Sequence, residues 1–113
     1  MEEKRLDEQT RQTADELVSY LAPLEGTAKA MFGGYCVYID EKVAGLVCDG
    51  RIFVKRTPAT TSLDGWADQA PAYPGAKDSW RLPSDALIAD PDRVVEAFRV
   101  TAEALPAKRP RKR

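Results

Sequence analysis

The sequence predicts an α+β domain of two layers, an antiparallel sheet with helices packed mainly against one of its faces. Three observations carry this reading. The stretch Met31 to Arg56, MFGGYCVYIDEKVAGLVCDGRIFVKR, holds short apolar runs separated by turn residues, as consecutive antiparallel strands do. Apolar residues recur at helical spacing near both ends of the chain. The longest unbroken apolar run, Val43 to Cys48, falls far short of the ~20 residues that a membrane-spanning helix needs.

The first helix is expected over residues 3–22, where Leu6, Thr10, Thr13, Leu17, Tyr20 or Leu21, and Leu24 recur every three or four positions among Glu, Arg, Gln and Asp. Pro23 marks its end, and Leu24 to Ala30, with Gly26, read as a connection. Asp49-Gly50 is the sharpest local signal in the chain. A two-residue type I′ turn needs positive φ at both central positions, which Asp tolerates and Gly adopts freely. That turn sets Cys48 opposite Arg51, Val47 opposite Ile52 and Leu46 opposite Phe53. A two-residue loop at Asp40-Glu41 would set Tyr38 opposite Val43 and Cys36 opposite Gly45. In this register one face collects Cys36, Tyr38, Val43, Val47, Ile52 and Val54, and the other Tyr35, Val37, Ile39, Leu46, Phe53 and Lys55. The first face is almost free of charge and is expected to meet the core. The second, edged by Arg51 and Lys55, is expected to be half covered or to line a groove.

Beyond the third strand, Thr57-Pro58 reads as the cap and first residue of a short helix ending near Asp64-Gly65. Trp66 to Lys77 contains Pro71, Pro74 and Gly75 and reads as an irregular connection. Asp78 to Leu82 alternates Trp80 and Leu82 against Ser79 and Arg81, a short strand stopped by Pro83. Ser84 to Ile88 is expected to make a turn or two of helix. Asp90-Pro91 then gives an N-cap and N1 proline for a helix with Val94, Val95, Phe98, Ala102 and Leu105 on one side, ended by Pro106. The element order is therefore α-β-β-β-α-β-α.

A chain of 113 residues is one domain by length. Its formal net charge of -1 hides a division: the last eight residues hold five of the 17 bases and none of the 18 acids, leaving 12 bases against 18 acids over residues 1–105. The expected organisation is a domain over 1–105 and a disordered basic tail over 106–113. The polar start MEEKRLDEQTRQ resembles neither a secretory signal nor a transit peptide, which makes the cytoplasm the expected location.

The chain contains no histidine. This excludes Ser-His-Asp and Cys-His nucleophilic machinery, histidine general bases and the usual zinc hydrolase sites. Cys36 and Cys48 cannot complete a tetrahedral zinc shell alone, and in the register above they do not stand opposite each other. The acid pairs Asp40-Glu41 and Asp90/Asp92 read as a turn and a helix start. No catalytic residue, metal site or cofactor is therefore expected. Lys29, Lys55, Lys77 and Arg81 lie near strand ends or in loops and either converge on an anionic ligand or acidic partner or are simply solvated. Gly33-Gly34 reads as a bend or bulge that admits Phe32 and Tyr35 in preference to a phosphate loop, since the glycines enter a strand and no helix. The candidate binding surface comprises Lys29, Phe32, Gly33, Gly34, Tyr35, Phe53, Lys55 and Arg81. A separate candidate is the tail, where Lys108, Arg109, Arg111, Lys112 and Arg113 have the composition for sequence-independent contact with nucleic-acid phosphates.

The ordered set Met31-Phe32-Gly33-Gly34-Tyr35, Val47-Cys48-Asp49-Gly50, Phe53-Val54-Lys55, Tyr73-Pro74-Gly75-Ala76-Lys77, Leu82-Pro83 and Asp90-Pro91-Asp92-Arg93 resembles the N-terminal domain of the TfoX/Sxy family, over roughly residues 10–105. The resemblance implies a secretion-chaperone-like α+β fold and a bacterial, non-enzymatic regulator. The name-giving members promote natural competence at the level of transcription and carry a second, helical domain. This chain reaches its basic tail where that domain would start, and so resembles the stand-alone members. The functional expectation is a regulatory or protein-interaction module with an unidentified protein partner, as a monomer or homodimer. A weak nucleic-acid-associated protein acting through the tail is the alternative.

Overall fold

The computed structural model describes residues 2–31 and 34–105, with side chains from Glu8 onward except Met31. Phe32, Gly33 and the basic segment 106–113 lie outside the described residues. The elements are helix α1 (Glu2–Tyr20), strands β1 (Thr27–Met31), β2 (Gly34–Ile39), β3 (Lys42–Cys48) and β4 (Arg51–Val54), a 3-10 helix (Pro58–Leu63), strands β5 (Asp68–Pro71) and β6 (Asp78–Arg81), and helices α2 (Ala86–Ala89) and α3 (Pro91–Ala104). Six strands form one antiparallel sheet in the order β1-β2-β3-β4-β6-β5. The α+β class and the sequence of its main elements are as the sequence predicts.

Two strands were not legible as such. The expected connection over Leu24 to Ala30 contains most of β1, and the expected irregular stretch over Trp66 to Lys77 contains β5. Thr-Ala-Lys-Ala and Asp-Gln-Ala-Pro are poor strand formers, and both strands form because β2 and β6 offer them a ladder. Both are edge strands, where an exposed lysine (Lys29) and a proline (Pro71) discourage further pairing.

Asp49 and Gly50 have φ of 52° and 72° and join Cys48 to Arg51 in the expected register. Asp40 and Glu41 also form a two-residue turn, with φ of 56° and 64°, and Tyr38 stands opposite Val43. One step further the register slips. Val37 pairs with Gly45 and Cys36 with Leu46, so Ala44 is an extra residue, a β-bulge. The slip corrects the expected faces. Val37 and Ile39, with Ala44, Val47, Ile52 and Val54, belong to the core, while Cys36, Tyr38 and Val43 turn to the opposite side beside Leu46 and Phe53.

Helices α1 and α3 pack on the same face of the sheet. Thr10, Ala14, Leu17 and Leu21 from the first, and Val94, Ala97, Phe98 and Ala102 from the last, bury against it together with Trp80, Leu82 and Leu63. Tyr20, offered by the sequence as an alternative to Leu21, is exposed. The layer is tied to the sheet at two places. The Thr10 hydroxyl accepts from the Gly50 amide at 3.0 Å, joining α1 to the β3-β4 turn. The Lys42 ammonium donates to the carbonyls of Ala102 at 2.7 Å and Leu105 at 3.3 Å, closing the C-terminal end of α3 where a cation also meets the helix dipole favourably. Asp90 caps the other end, accepting from the Arg93 amide at 3.2 Å.

Candidate functional site

Because both long helices lie on one side, the other side of the sheet carries no helix among the described residues. Strand register defines its rows. The longest runs across all six strands: Lys29, Cys36, Leu46, Phe53, Arg81 and Asp68. Cys48 and Arg51 flank it on one side, and Tyr38, Val43, Lys55 and Ser79 on the other, following the two-residue alternation of the strands. Phe53 and Cys36 are buried at the centre, Leu46, Val43 and Tyr38 are half-buried, and Lys29 and Lys55 are exposed at the margins. Long basic side chains thus frame an apolar middle.

The cations have few protein partners. Arg81 meets Asp68 at 3.3 Å, Arg51 donates to the Leu82 carbonyl at 2.8 Å, and Lys29 sits 5.8 Å from the centre of the Tyr38 ring. The Nε atoms of both Arg51 and Arg81 are buried without an acceptor. Asp68 is the one acid among the strand positions named on this face.

The sequence-derived surface is therefore brought together in part. Lys29, Phe53, Lys55 and Arg81 share this face. Tyr35 does not, since it pairs with Val47 and packs half-buried against the helix-side core. Gly34 pairs with Cys48, and a Cβ there would lie 2.5 Å from the Val47 carbonyl oxygen and 2.8 Å from Cys48 Sγ, so its lack of a side chain permits close strand approach. Lys77 lies in the loop before β6. Leu46 and Arg51 belong to the site too, on the face and edge where the sequence sets them, whereas Cys36 and Tyr38 are expected on the core face and stand here instead, because the bulge that turns them outward leaves no mark in the apolar pattern. A second bulge-tolerant register in a strand containing Ala44-Gly45 was the available clue.

Cys36 and Cys48 lie on adjacent strands of the same face and form no disulfide. Burial pushes both above the ordinary thiol range; the Tyr38 hydroxyl and Lys55 partly offset this at Cys36, and Asp49 adds to it at Cys48. They are protonated near neutral pH and are poor nucleophiles. No group of three or more acidic, cysteine or histidine side chains suited to a metal ion occurs among the described residues.

A cleft of about 450 Å³ opens on the helix side at the β5 margin, lined by Arg56, Thr57, Pro58, Thr61, Asp64, Gln69 and Trp80. Its floor is structural. Trp80 Nε1 donates to Thr60 Oγ1 at 3.0 Å, and that hydroxyl also accepts from the Thr57 amide at 2.9 Å, while Thr57 Oγ1 accepts from Ala59 at 3.1 Å.

These features define a two-layer α+β domain with a basic-rimmed, apolar sheet face left open by its helices. The chain belongs to the TfoX N-terminal domain family, whose model matches residues 5–105. It is also similar to a protein of Spirochaeta aurantia described as an "uncharacterized 12.7 kDa protein in trpE 5′ region", with 44% identity over 82 residues covering 73% of this chain and 70% of that one. Among the described residues no helix is long and apolar enough to cross a membrane.

Proposed function

We propose that the protein is a non-enzymatic regulatory module that works by docking a protein partner on the open face of its sheet. The observation that carries this reading is the one-sided placement of α1 and α3, which leaves half-buried Leu46, beside the buried Phe53 and Cys36, on the uncovered face inside a frame of bases. A sheet whose second face is idle usually carries an alternation of apolar and fully polar positions, and this face instead keeps an apolar centre. The absence of histidine and the raised thiols support a role without chemistry. Comparing partner capture by the wild type, by Leu46→Asp on the open face and by Ser19→Asp on the outer side of α1 tests this. Loss with Leu46→Asp alone is expected, and capture indifferent to Leu46→Asp refutes the assignment.

A second reading concerns the tail, favoured by its five bases and no acids. Neutralising five phosphates would give a salt slope of about -4.5, a several-hundredfold loss of DNA affinity between 50 and 200 mM salt. Binding of duplex and single-stranded DNA by the full chain but not by residues 1–105 would establish it. No binding by either form would remove it.

A further inference from the structure

We infer that the occupant of the open sheet face is an acidic segment of a partner protein, its carboxylates set against Lys29, Lys55, Arg51 and Arg81 and its apolar side chains against Leu46. This rests on the docking role proposed above and gives it a chemistry. Residues 1–105 carry six more acids than bases, yet the named strand positions of this face carry four bases against the single acid Asp68. Charge of the opposite sign to the body is concentrated on the one face that the helices leave open.

The donors on this face exceed the acceptors within reach. Each arginine offers five N–H groups; Arg81 donates to Asp68 and Arg51 to the Leu82 carbonyl, while both Nε atoms lack an acceptor. Planar guanidinium groups match carboxylates in geometry, and within the chain Arg81 already has one carboxylate contact, Nη2 to Asp68 Oδ2 at 3.3 Å.

Other occupants fit less well. A second copy of this chain meeting face to face would set lysine and arginine against lysine and arginine. The basic segment 106–113 has the same sign as the face. Single-stranded nucleic acid needs open aromatic rings for its bases. Phe53 is only 4% exposed, and the Tyr38 ring lies beneath Lys29.

The test measures binding of fluorescently labelled twelve-residue peptides by anisotropy to the full chain. One peptide alternates glutamate with leucine, one serine with leucine and one lysine with leucine, and a single-stranded oligonucleotide is the fourth probe. The expected result is binding of the glutamate peptide that weakens with salt and falls at least tenfold in Lys29→Glu/Lys55→Glu, whose melting temperature remains that of the wild type because both side chains are exposed. Equal binding of the serine peptide, abolished by Leu46→Asp, would retain docking but overturn the acidic chemistry. Binding of no peptide would overturn both, and oligonucleotide binding lost in Lys29→Glu/Lys55→Glu would replace the protein segment by nucleic acid.

Discussion

Gly45 is the position where sheet, helix and bulge meet, and substituting it measures how firmly the bulge is fixed. A Cβ at Gly45 would lie 2.2 Å from the Phe53 carbonyl oxygen and 2.9 Å from Cε1 of Phe98, well inside the 3.4 Å at which ordinary contact begins. The second obstacle is a side chain, but the first is backbone of the paired strand β4, held by the Gly45–Val54 ladder and by the Lys55 amide on the Ala44 carbonyl at 2.9 Å. Gly45→Ala must therefore push β3 away from β4 or tilt the Phe98 ring, which is fully buried. Overpacking of this kind costs about 3 kcal/mol, a large share of the roughly 5–15 kcal/mol that holds a domain together. At about 4 °C per kcal/mol for a chain of this size, the melting temperature should fall by about 12 °C. Urea and thermal unfolding followed by circular dichroism would read this directly. Phe98→Leu in the same chain removes the ring but leaves the backbone obstacle, so the double variant should recover little. A Gly45→Ala protein within about 0.5 kcal/mol of wild type, or full rescue by Phe98→Leu, would show that the β4 backbone is no obstacle to a side chain there.

Three further outcomes follow from local geometry. Glu41 holds φ of 64° in the β2-β3 turn, a conformation costing a residue with a Cβ about 1 kcal/mol, so Glu41→Gly should raise the melting temperature by a few degrees; an unchanged or lower value would contradict this. Thr10→Val leaves the Gly50 amide without its acceptor and should cost about 1–3 kcal/mol, while Thr10→Ser, which keeps the oxygen, should cost less than 1; equal losses in the two urea midpoints would argue against the bond. Burial raises both thiols above their unfolded values, so between those values the native chain holds protons that the unfolded chain has released. Stability should therefore be unaffected by the thiols below about pH 8.5 and fall as the pH rises beyond it. Cys36→Ala/Cys48→Ala should remove that fall, and a wild-type profile that rises above pH 8.5 would contradict the assignment.

Where turn chemistry or capping stated a local rule, the fold was legible. Asp49-Gly50, Thr57-Pro58 and Asp90-Pro91 lie where the sequence places them, because each is specified within four residues. The edge strands were not legible, since Thr27–Met31 and Asp68–Pro71 owe their conformation to neighbours distant in sequence. The same limit divided the site. Lys29, Phe53, Lys55 and Arg81 were visible as basic and aromatic strand-end residues, yet only the antiparallel register aligns Lys29, Phe53 and Arg81 in one row. Tyr35, which the sequence sets on the candidate surface, sits on the helix side because one extra residue, Ala44, reverses the alternation between β2 and β3. A bulge moves side chains from one face to the other without altering composition, so an apolar pattern alone gives either answer.

Methyl-resolved NMR of the full chain during titration with the glutamate-leucine peptide would locate the docking face, because methyl groups report the two faces of one sheet separately. Shifts confined to the Leu46 and Val43 methyls, with Val37, Val47 and Leu17 unmoved, are the predicted result. Shifts centred on the helix-side methyls, or none at saturating peptide, would contradict docking of an acidic segment on the open face.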